Sequence, residues 1–280
     1  MSTDTQRADG SPEQAWQEWH EQRLATIAAP HGPLSLTGTH WLDDHPDGQL
    51  PGLPGHWAAE GDEVVLTAAD DETRLTATDG GEVRLTVDGD PVSGTVRLGA
   101  DHGPIPRSRV AYGDRRLVVL RREGAWAVRD FDPAAPARRA FTGIESDPYD
   151  PRWTLPGRFE AYPESRNIQV ANVDGRERGL GLSGRIVFTV DGQEHTLEVV
   201  VESDGSLWAV FADTTSGSTS YRFRFLRPEP PAADGAVTVD FNRALLPPCA
   251  FADHFICPFP PPGNTLTVPV TAGERAVRPH

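Results

Sequence analysis

The sequence predicts a mainly β protein, built from antiparallel sheets in a sandwich or barrel-like arrangement with one amphipathic helix near the N-terminus. Three observations carry this reading. Short runs rich in Val, Ile, Leu and Thr recur along the chain and are bounded by turn residues. The 27 glycines and 26 prolines are spread between those runs rather than gathered in one tract, as turns joining many strands require. Helical patterns do not alternate with the strands, which argues against a parallel α/β sheet.

The helix opens at Ser11-Pro12-Glu13-Gln14. Ser11 suits the capping position, Pro12 the first helical position, and Gln14 stands three residues after the cap. Trp16, Trp19, His20, Arg23, Leu24 and Ile27 then recur at helical spacing, a face that can dock on a sheet, and Pro30 ends the run. No other helix is expected. Residues 1–10 are polar and expected to be disordered.

Strands are expected at Val64–Leu66, Arg74–Ala77, Val83–Val87, Thr95–Leu98, Leu117–Leu120 and Ala125–Arg129. Further strands are expected at Ile186–Val190, Thr196–Val201, Leu207–Phe211, Tyr221–Leu226, Val237–Phe241 and Leu266–Val270. Asp88-Gly89 and Asp191-Gly192 are hairpin signals, because both residues of such a turn need positive φ. Residues 131–163 are poor in strand pattern and rich in Asp-Pro pairs. They read as a long connection. Residues 11–280 are therefore expected to form a single β-rich domain, with two β halves joined by 131–163 as the other arrangement the pattern allows.

The formal charge is −15, from 41 acidic against 26 basic residues. That excess argues against nucleic acid or an anionic membrane as partner, since both need a basic face. Every basic residue is arginine and the sequence contains no lysine, so a lysine nucleophile or Schiff base is excluded. The first residues lack a basic start followed by an apolar core, and no run approaches a membrane span. With only Cys249 and Cys257, the chain is not a disulfide framework. The expected location is cytoplasmic.

Several motif matches fail on context. Gly179 to Gly184 fits the dinucleotide glycine spacing by letter but leads into the strand pattern Arg185-Ile186-Val187-Phe188, so it reads as a loop. His20-Glu21 begins like a zinc-protease motif, but Leu24 stands where the second ligand belongs. Asp130, Asp132, Asp147 and Asp150 match no calcium loop and read as turn-builders.

The segment from Asp240 to Asn264 is the densest in chemistry. It mixes Asp240, Asn242, Arg243, Cys249, His254, Cys257 and Asn264 with several aromatics and prolines. It is too irregular for one helix or strand and too apolar for a solvated tail. Cys249, His254 and Cys257 are metal candidates by chemistry, with His40 as a possible fourth ligand, but paired CxxC-type spacing is absent. Reduced structural thiols are preferred to a metal site, and a disulfide is ranked lower. Asp213-Thr214-Thr215-Ser216-Gly217 reads first as a tight turn and second as a substrate-orienting loop. His40, beside Trp41, is a candidate general acid or base, with a hydrogen-bonded structural histidine as the plainer reading.

These pieces resemble, in order, a bacterial and archaeal family known as domain of unknown function 1684. The resemblance runs from the tryptophan-bearing helix and Leu34-Ser35-Leu36-Thr37-Gly38-Thr39-His40-Trp41-Leu42 through Arg129-Asp130, Phe141 to Trp153 and Gly184 to Phe188. It continues in Phe211-Ala212-Asp213-Thr214-Thr215-Ser216-Gly217, Tyr221, Asp240-Phe241-Asn242-Arg243-Ala244, Pro248-Cys249-Ala250-Phe251, Cys257-Pro258, Asn264 and Ala272-Gly273-Glu274. Leu245-Leu246 departs from the Tyr-Asn expected of the family. His254 stands where the family does not call for histidine, which argues against a metal site built on it. The resemblance implies a shared site made from His40, Asp213, Asp240, Asn242, Arg243 and the cysteines, and it implies no reaction.

The functional expectation is a small-molecule-binding β protein, with hydrolysis or isomerisation ahead of redox chemistry if it is catalytic. His40, Asp213 and Asp240 are the candidate catalytic residues. Trp41, Thr215, Tyr221, Asn242, Arg243 and Asn264 are the candidate binding residues. No cofactor is favoured. The alternatives are a non-catalytic binding or scaffold protein and a zinc or iron protein using Cys249 and Cys257.

Overall fold

The computed structural model describes residues 11–69, 74–76 and 82–278. The expectation for residues 1–10 lies outside the described residues, as does Ala77 of the strand expected at Arg74–Ala77. The chain divides into two compact units. One comprises Ile27–Phe141 with Phe251–Phe255, and the other Thr142–Ala250 and Ile256–His280 with the N-terminal segment up to Thr26. No described helix is long and apolar enough to cross a membrane.

In the first unit, the strands are β1 (Leu36–Trp41), β2 (His56–Glu60), β3 (Glu63–Ala68), β4 (Arg74–Thr76), β5 (Glu82–Val87), β6 (Asp90–Pro91), β7 (Gly94–Leu98), β8 (Val110–Tyr112), β9 (Arg115–Arg122) and β10 (Ala125–Phe131). They make an antiparallel sheet in the order β1-β10-β9-β8-β5-β4 and a smaller one in the order β2-β3-β7. Trp57, Leu66, Leu85, Leu98, Leu117 and Val128 are among the side chains that form its apolar core. The expected turn at Asp88-Gly89 is present, with φ of 54° and 92° joining Val87 to Asp90. A short helix at Pro136–Ala140, absent from the sequence expectation, begins with proline at its first turn.

In the second unit, the helix Pro12–Ile27 contributes its residues up to Thr26. Its capping box forms as the sequence requires. The Ser11 amide donates to Gln14 Oε1 at 2.8 Å, and the Gln14 amide donates to Ser11 Oγ at 3.2 Å. The expected apolar docking face is largely replaced by polar anchors. Trp16 Nε1 donates to the Asn242 carbonyl at 2.8 Å, and Arg23 reaches both Glu274 (3.0 Å) and the Leu246 carbonyl (3.1 Å).

The strands of this unit are β11 (Ile144–Ser146), β12 (Thr154–Ala171), β13 (Glu177–Val190), β14 (Gln193–Val201), β15 (Leu207–Phe211), β16 (Arg224–Leu226), β17 (Ala236–Asp240) and β18 (Glu274–Val277). The main sheet runs β16-β15-β14-β13-β12-β17, every pairing antiparallel, and β11 pairs β18. Strand β13 alternates between buried and exposed along much of its length, the period that one packed face demands. Ile186, Leu197, Val199, Phe211, Val239 and Phe241 are part of the core beneath it. Asp191 and Gly192, at φ of 50° and 78°, close the β13–β14 hairpin.

Four local expectations are corrected. The segment read as a connection, 131–163, carries the first half of the long strand β12. Much of that half is exposed or half-buried, so it lacks the apolar alternation by which strands are recognised. Its Pro163 falls between Ala161 and Arg166, where the register with β13 shifts, so the missing amide costs no regular ladder bond. Gly179 to Gly184 is strand interior, not a loop. A Cβ on Gly184 would stand 2.5 Å from the Glu160 carbonyl oxygen and 2.6 Å from the Phe159 ring, so glycine permits the close approach of β12 to β13. Leu266–Val270 forms no strand. Leu266 and Val270 still enter the core from a loop that bears Pro269. The strand expected at Tyr221–Leu226 contracts to Arg224–Leu226.

Candidate functional site

In the first unit, β1 presents His40 opposite Val128 of β10 and Trp41 opposite Ala127. Trp41 is buried and His40 half-buried. The His40 ring meets His45 edge-on, with centroids 5.9 Å apart. Burial pushes the His40 pKa below its ordinary value, against the opposing pull of the Asp130 charge, and His45 and His254 push it down further. Its imidazole is therefore held neutral near pH 7. Asp130, two positions further along β10 from Val128, is buried and paired with Arg115, and it accepts from Thr37 Oγ1 at 2.8 Å. The carboxylate that acts on His40 within this unit is thus Asp130, a residue that the sequence reading assigned to turn-building. The His254 carbonyl accepts from Thr39 Oγ1 at 2.8 Å.

The other candidates lie in the second unit, where most carry structural bonds. Asp213 accepts from the Thr215 amide at 2.6 Å and from Arg224 at 2.6 Å, with both side chains of that ion pair wholly buried. Thr215 Oγ1 shares a hydrogen bond with Ser220 Oγ at 2.8 Å, closing the tight turn. Asn264 is fully buried and links two strands where their ladder is short. Its Oδ1 accepts from the Glu198 amide (2.7 Å), and its Nδ2 donates to the carbonyls of Glu198 and Val210 (both 2.9 Å). Asn242, also buried, clasps Asp150 at two points, accepting from its amide at 2.9 Å and donating to its carbonyl at 3.0 Å.

Asp240 and Arg243 remain partly open to solvent. Asp240 caps the short turn Phe241–Arg243 by accepting from the Asn242 amide at 3.1 Å. Arg243 stands 3.5 Å from Asp240 and lies over the Trp19 ring at 5.5 Å. Both line a groove together with Leu226, Arg227, Pro228, Glu229 and Thr238. Arg227 stands 3.7 Å from Glu202 and lies over the Trp208 ring at 5.7 Å.

Cys249 and Cys257 are buried and unbridged. Cys249 lies in the turn Pro248–Ala250, and the backbone of Cys257 accepts from the Val173 amide at 3.0 Å. Tyr221 directs its hydroxyl to the Cys249 carbonyl (3.3 Å) and sulfur (3.7 Å). A hydrogen bond from the Cys257 thiol, with others from Tyr221 and Arg222, lowers the Cys249 pKa to about 7 against the opposing effect of burial. Burial, followed by the Cys249 charge, pushes Tyr221 up to about 12. Among the described residues, no group of three or more His, Cys, Asp or Glu side chains is gathered to hold a metal ion.

The sequence reading missed Asp130–Arg115, Arg224 and Arg222. Arg224 carried no signal, because alternation with Phe223 and Phe225 marks it as a surface position. Arg222 had one available clue, its place next to Tyr221.

Fold and site define the chain as an antiparallel β protein with one capped N-terminal helix, an arginine-lined groove and a buried pair of free thiols. It belongs to the family described as protein of unknown function DUF1684, whose model matches residues 139–275. An uncharacterized protein from Haloarcula marismortui, solved by solution NMR, is 31% identical over 50% of this chain and 80% of its own, with a TM-score of 0.42. The comparison with curated proteins returned no match.

Proposed function

We propose that the protein binds a small polar molecule carrying a carboxylate or similar oxyanion in the groove lined by Arg227 and Arg243. The single observation behind this is the state of those two arginines. Their side chains are 45% and 41% exposed and face one groove, with ion pairs of 3.7 and 3.5 Å that leave guanidinium donors available. Guanidinium forks match oxyanions in shape as well as charge. Asp240, Glu229 and Thr238 offer acceptors for a hydroxyl or amine on the same ligand, and Leu226 and Pro228 an apolar floor.

A second reading, hydrolysis or isomerisation with His40 as acid or base, is favoured by the neutral imidazole beside the Asp130 charge. The acidic composition and two unbridged cysteines support a cytoplasmic location.

Calorimetric titration with a panel of small organic acids tests the binding reading. We expect at least one saturable ligand whose affinity falls about tenfold or more in Arg243→Ala and in Arg227→Ala. Unchanged affinity in both variants would refute the assignment to this groove.

A further inference from the structure

We infer that Cys249 and Cys257 are a peroxide-reactive thiol pair, with Cys249 the attacking sulfur and Cys257 the resolving one. The argument begins with placement. Cys249 is fixed in a one-turn helix whose Ala250 amide returns to the Pro247 carbonyl at 2.9 Å. Cys257 is fixed from the other side, with its carbonyl on the Val173 amide at 3.0 Å and Pro258 bridged to Asn172. Two independently anchored backbone segments thus hold the thiols in hydrogen-bonding contact. From that contact the two sulfurs have only to close to the disulfide length of about 2.05 Å.

The surroundings of Cys249 favour a thiolate. Tyr221 Oη lies 3.7 Å from its sulfur, and the Cys257 thiol and Arg222 also donate to it. Arg222 is held over the rings of Tyr221, Phe223 and Phe259 at 5.6, 5.6 and 5.0 Å, which keeps its charge near the sulfur. Those donors draw the Cys249 pKa down to about 7, whereas a cysteine that merely packed as a small hydrophobe would be pushed up. Cys249 and Cys257 each keep 5% exposure. That suits an oxidant little larger than water and disfavours a bulky disulfide.

The chemistry balances in two steps. The Cys249 thiolate attacks one peroxide oxygen. The sulfur–oxygen bond forms, the oxygen–oxygen bond breaks, and hydroxide leaves to take a proton and become water, with Cys249 now a sulfenic acid. The Cys257 sulfur, losing its proton, then attacks Cys249. The disulfide forms, the sulfur–oxygen bond breaks, and a second water departs. Two electrons pass from the sulfur pair to the peroxide. A dithiol reductant reverses the change by exchange.

Hydrogen peroxide added to the purified full chain, followed by alkylation in denaturant and intact-mass measurement, tests this. The expected result is a monomer that has lost two hydrogens, has both cysteines blocked and recovers both thiols on treatment with a dithiol reductant. In Cys257→Ser, oxidation should stop at a sulfenic acid on Cys249 that dimedone traps. In Cys249→Ser, the reaction of the remaining thiol should slow by about tenfold or more. Wild-type thiols that survive peroxide in the folded state, or react only as fast as the chain unfolds, would overturn the inference. So would an intermolecular disulfide as the main product, or dimedone labelling of Cys257 ahead of Cys249. The wild-type measurements stand even if a variant fails to fold.

Discussion

The Asp213 carboxylate meets the Arg224 guanidinium at 2.6 Å with neither side chain exposed to solvent. Arg224 also donates to the carbonyls of Val270, Ala272 and Glu274. One buried cation thus ties the tight turn after β15 to the loop that precedes β18. Breaking such a pair leaves a charge uncompensated in the interior. Asp213→Ala should therefore lower unfolding free energy by about 3–5 kcal/mol, read from urea denaturation. If Asp213 were chiefly catalytic, the variant would keep its stability and lose only turnover.

Asn242 makes a similar case with neutral groups. Its amide satisfies both backbone groups of Asp150, so truncation leaves a part-buried donor and acceptor without their partner. Asn242→Ala should cost about 1–3 kcal/mol and speed hydrogen exchange at the Asp150 amide. Exchange at wild-type rate would show that the clasp does not hold that loop.

Gly184 tests the crossing of β12 and β13. An added methyl would stand 2.5 Å from the Glu160 carbonyl oxygen, and backbone cannot yield as a flexible side chain does. Gly184→Ala should destabilise by about 1–3 kcal/mol. Gly61→Ala is not the right control, because its φ of 63° adds its own strain. Gly99→Ala, with nothing within 4 Å of the added carbon, is the fair comparison.

The thiolate at Cys249 gives stability a pH signature. Its pKa is depressed in the fold from 9.0 to about 7, so the unfolded chain holds the proton more tightly. The stabilisation is complete above pH 9.0, fades as pH falls, and is lost on passing through about 7. Unfolding free energy should rise between those limits, by up to about 2–3 kcal/mol, and the rise should vanish in Cys249→Ser. A wild-type curve that is flat across the window would contradict the lowered pKa.

His40 has its own window. Burial lowers the pKa of this base in the fold, so protonation favours the unfolded chain. Its contribution is complete above 6.5 and declines as pH falls below that value. The His40 ring resonance should titrate below 6.5 in NMR spectra of the folded protein. Titration above that value would place the Asp130 attraction ahead of burial.

The elements legible in the sequence are those whose signal is local. Ser11 and Gln14 specify the capping box, and Asp191-Gly192 specifies its hairpin, because a few adjacent residues suffice for each. Strand β13 is legible in its second half, where apolar residues alternate. Strand β12 is not, because much of its N-terminal half is exposed and Pro163 sits in its register shift. The candidate site divides in the same way. Arg243, Asp240 and the two cysteines stand out by residue type in an odd segment. Their division of labour does not, since it depends on partners far away in the chain.

By itself the sequence determined the antiparallel β class, the helix start, the two hairpins, the family and the segment where chemistry is concentrated. The family rests on the resemblance of motifs in order along the chain, and the others follow from periodicity, turn chemistry or residue type over a short span. Only the tertiary structure decided that Asp213 is neutralised by Arg224, that Asn242 and Asn264 serve as internal clasps, and that Tyr221, Arg222 and Cys257 converge on the Cys249 sulfur. Whether a polar side chain is free for a ligand depends on which distant groups already satisfy it. That is a property of packing, and no local pattern encodes it.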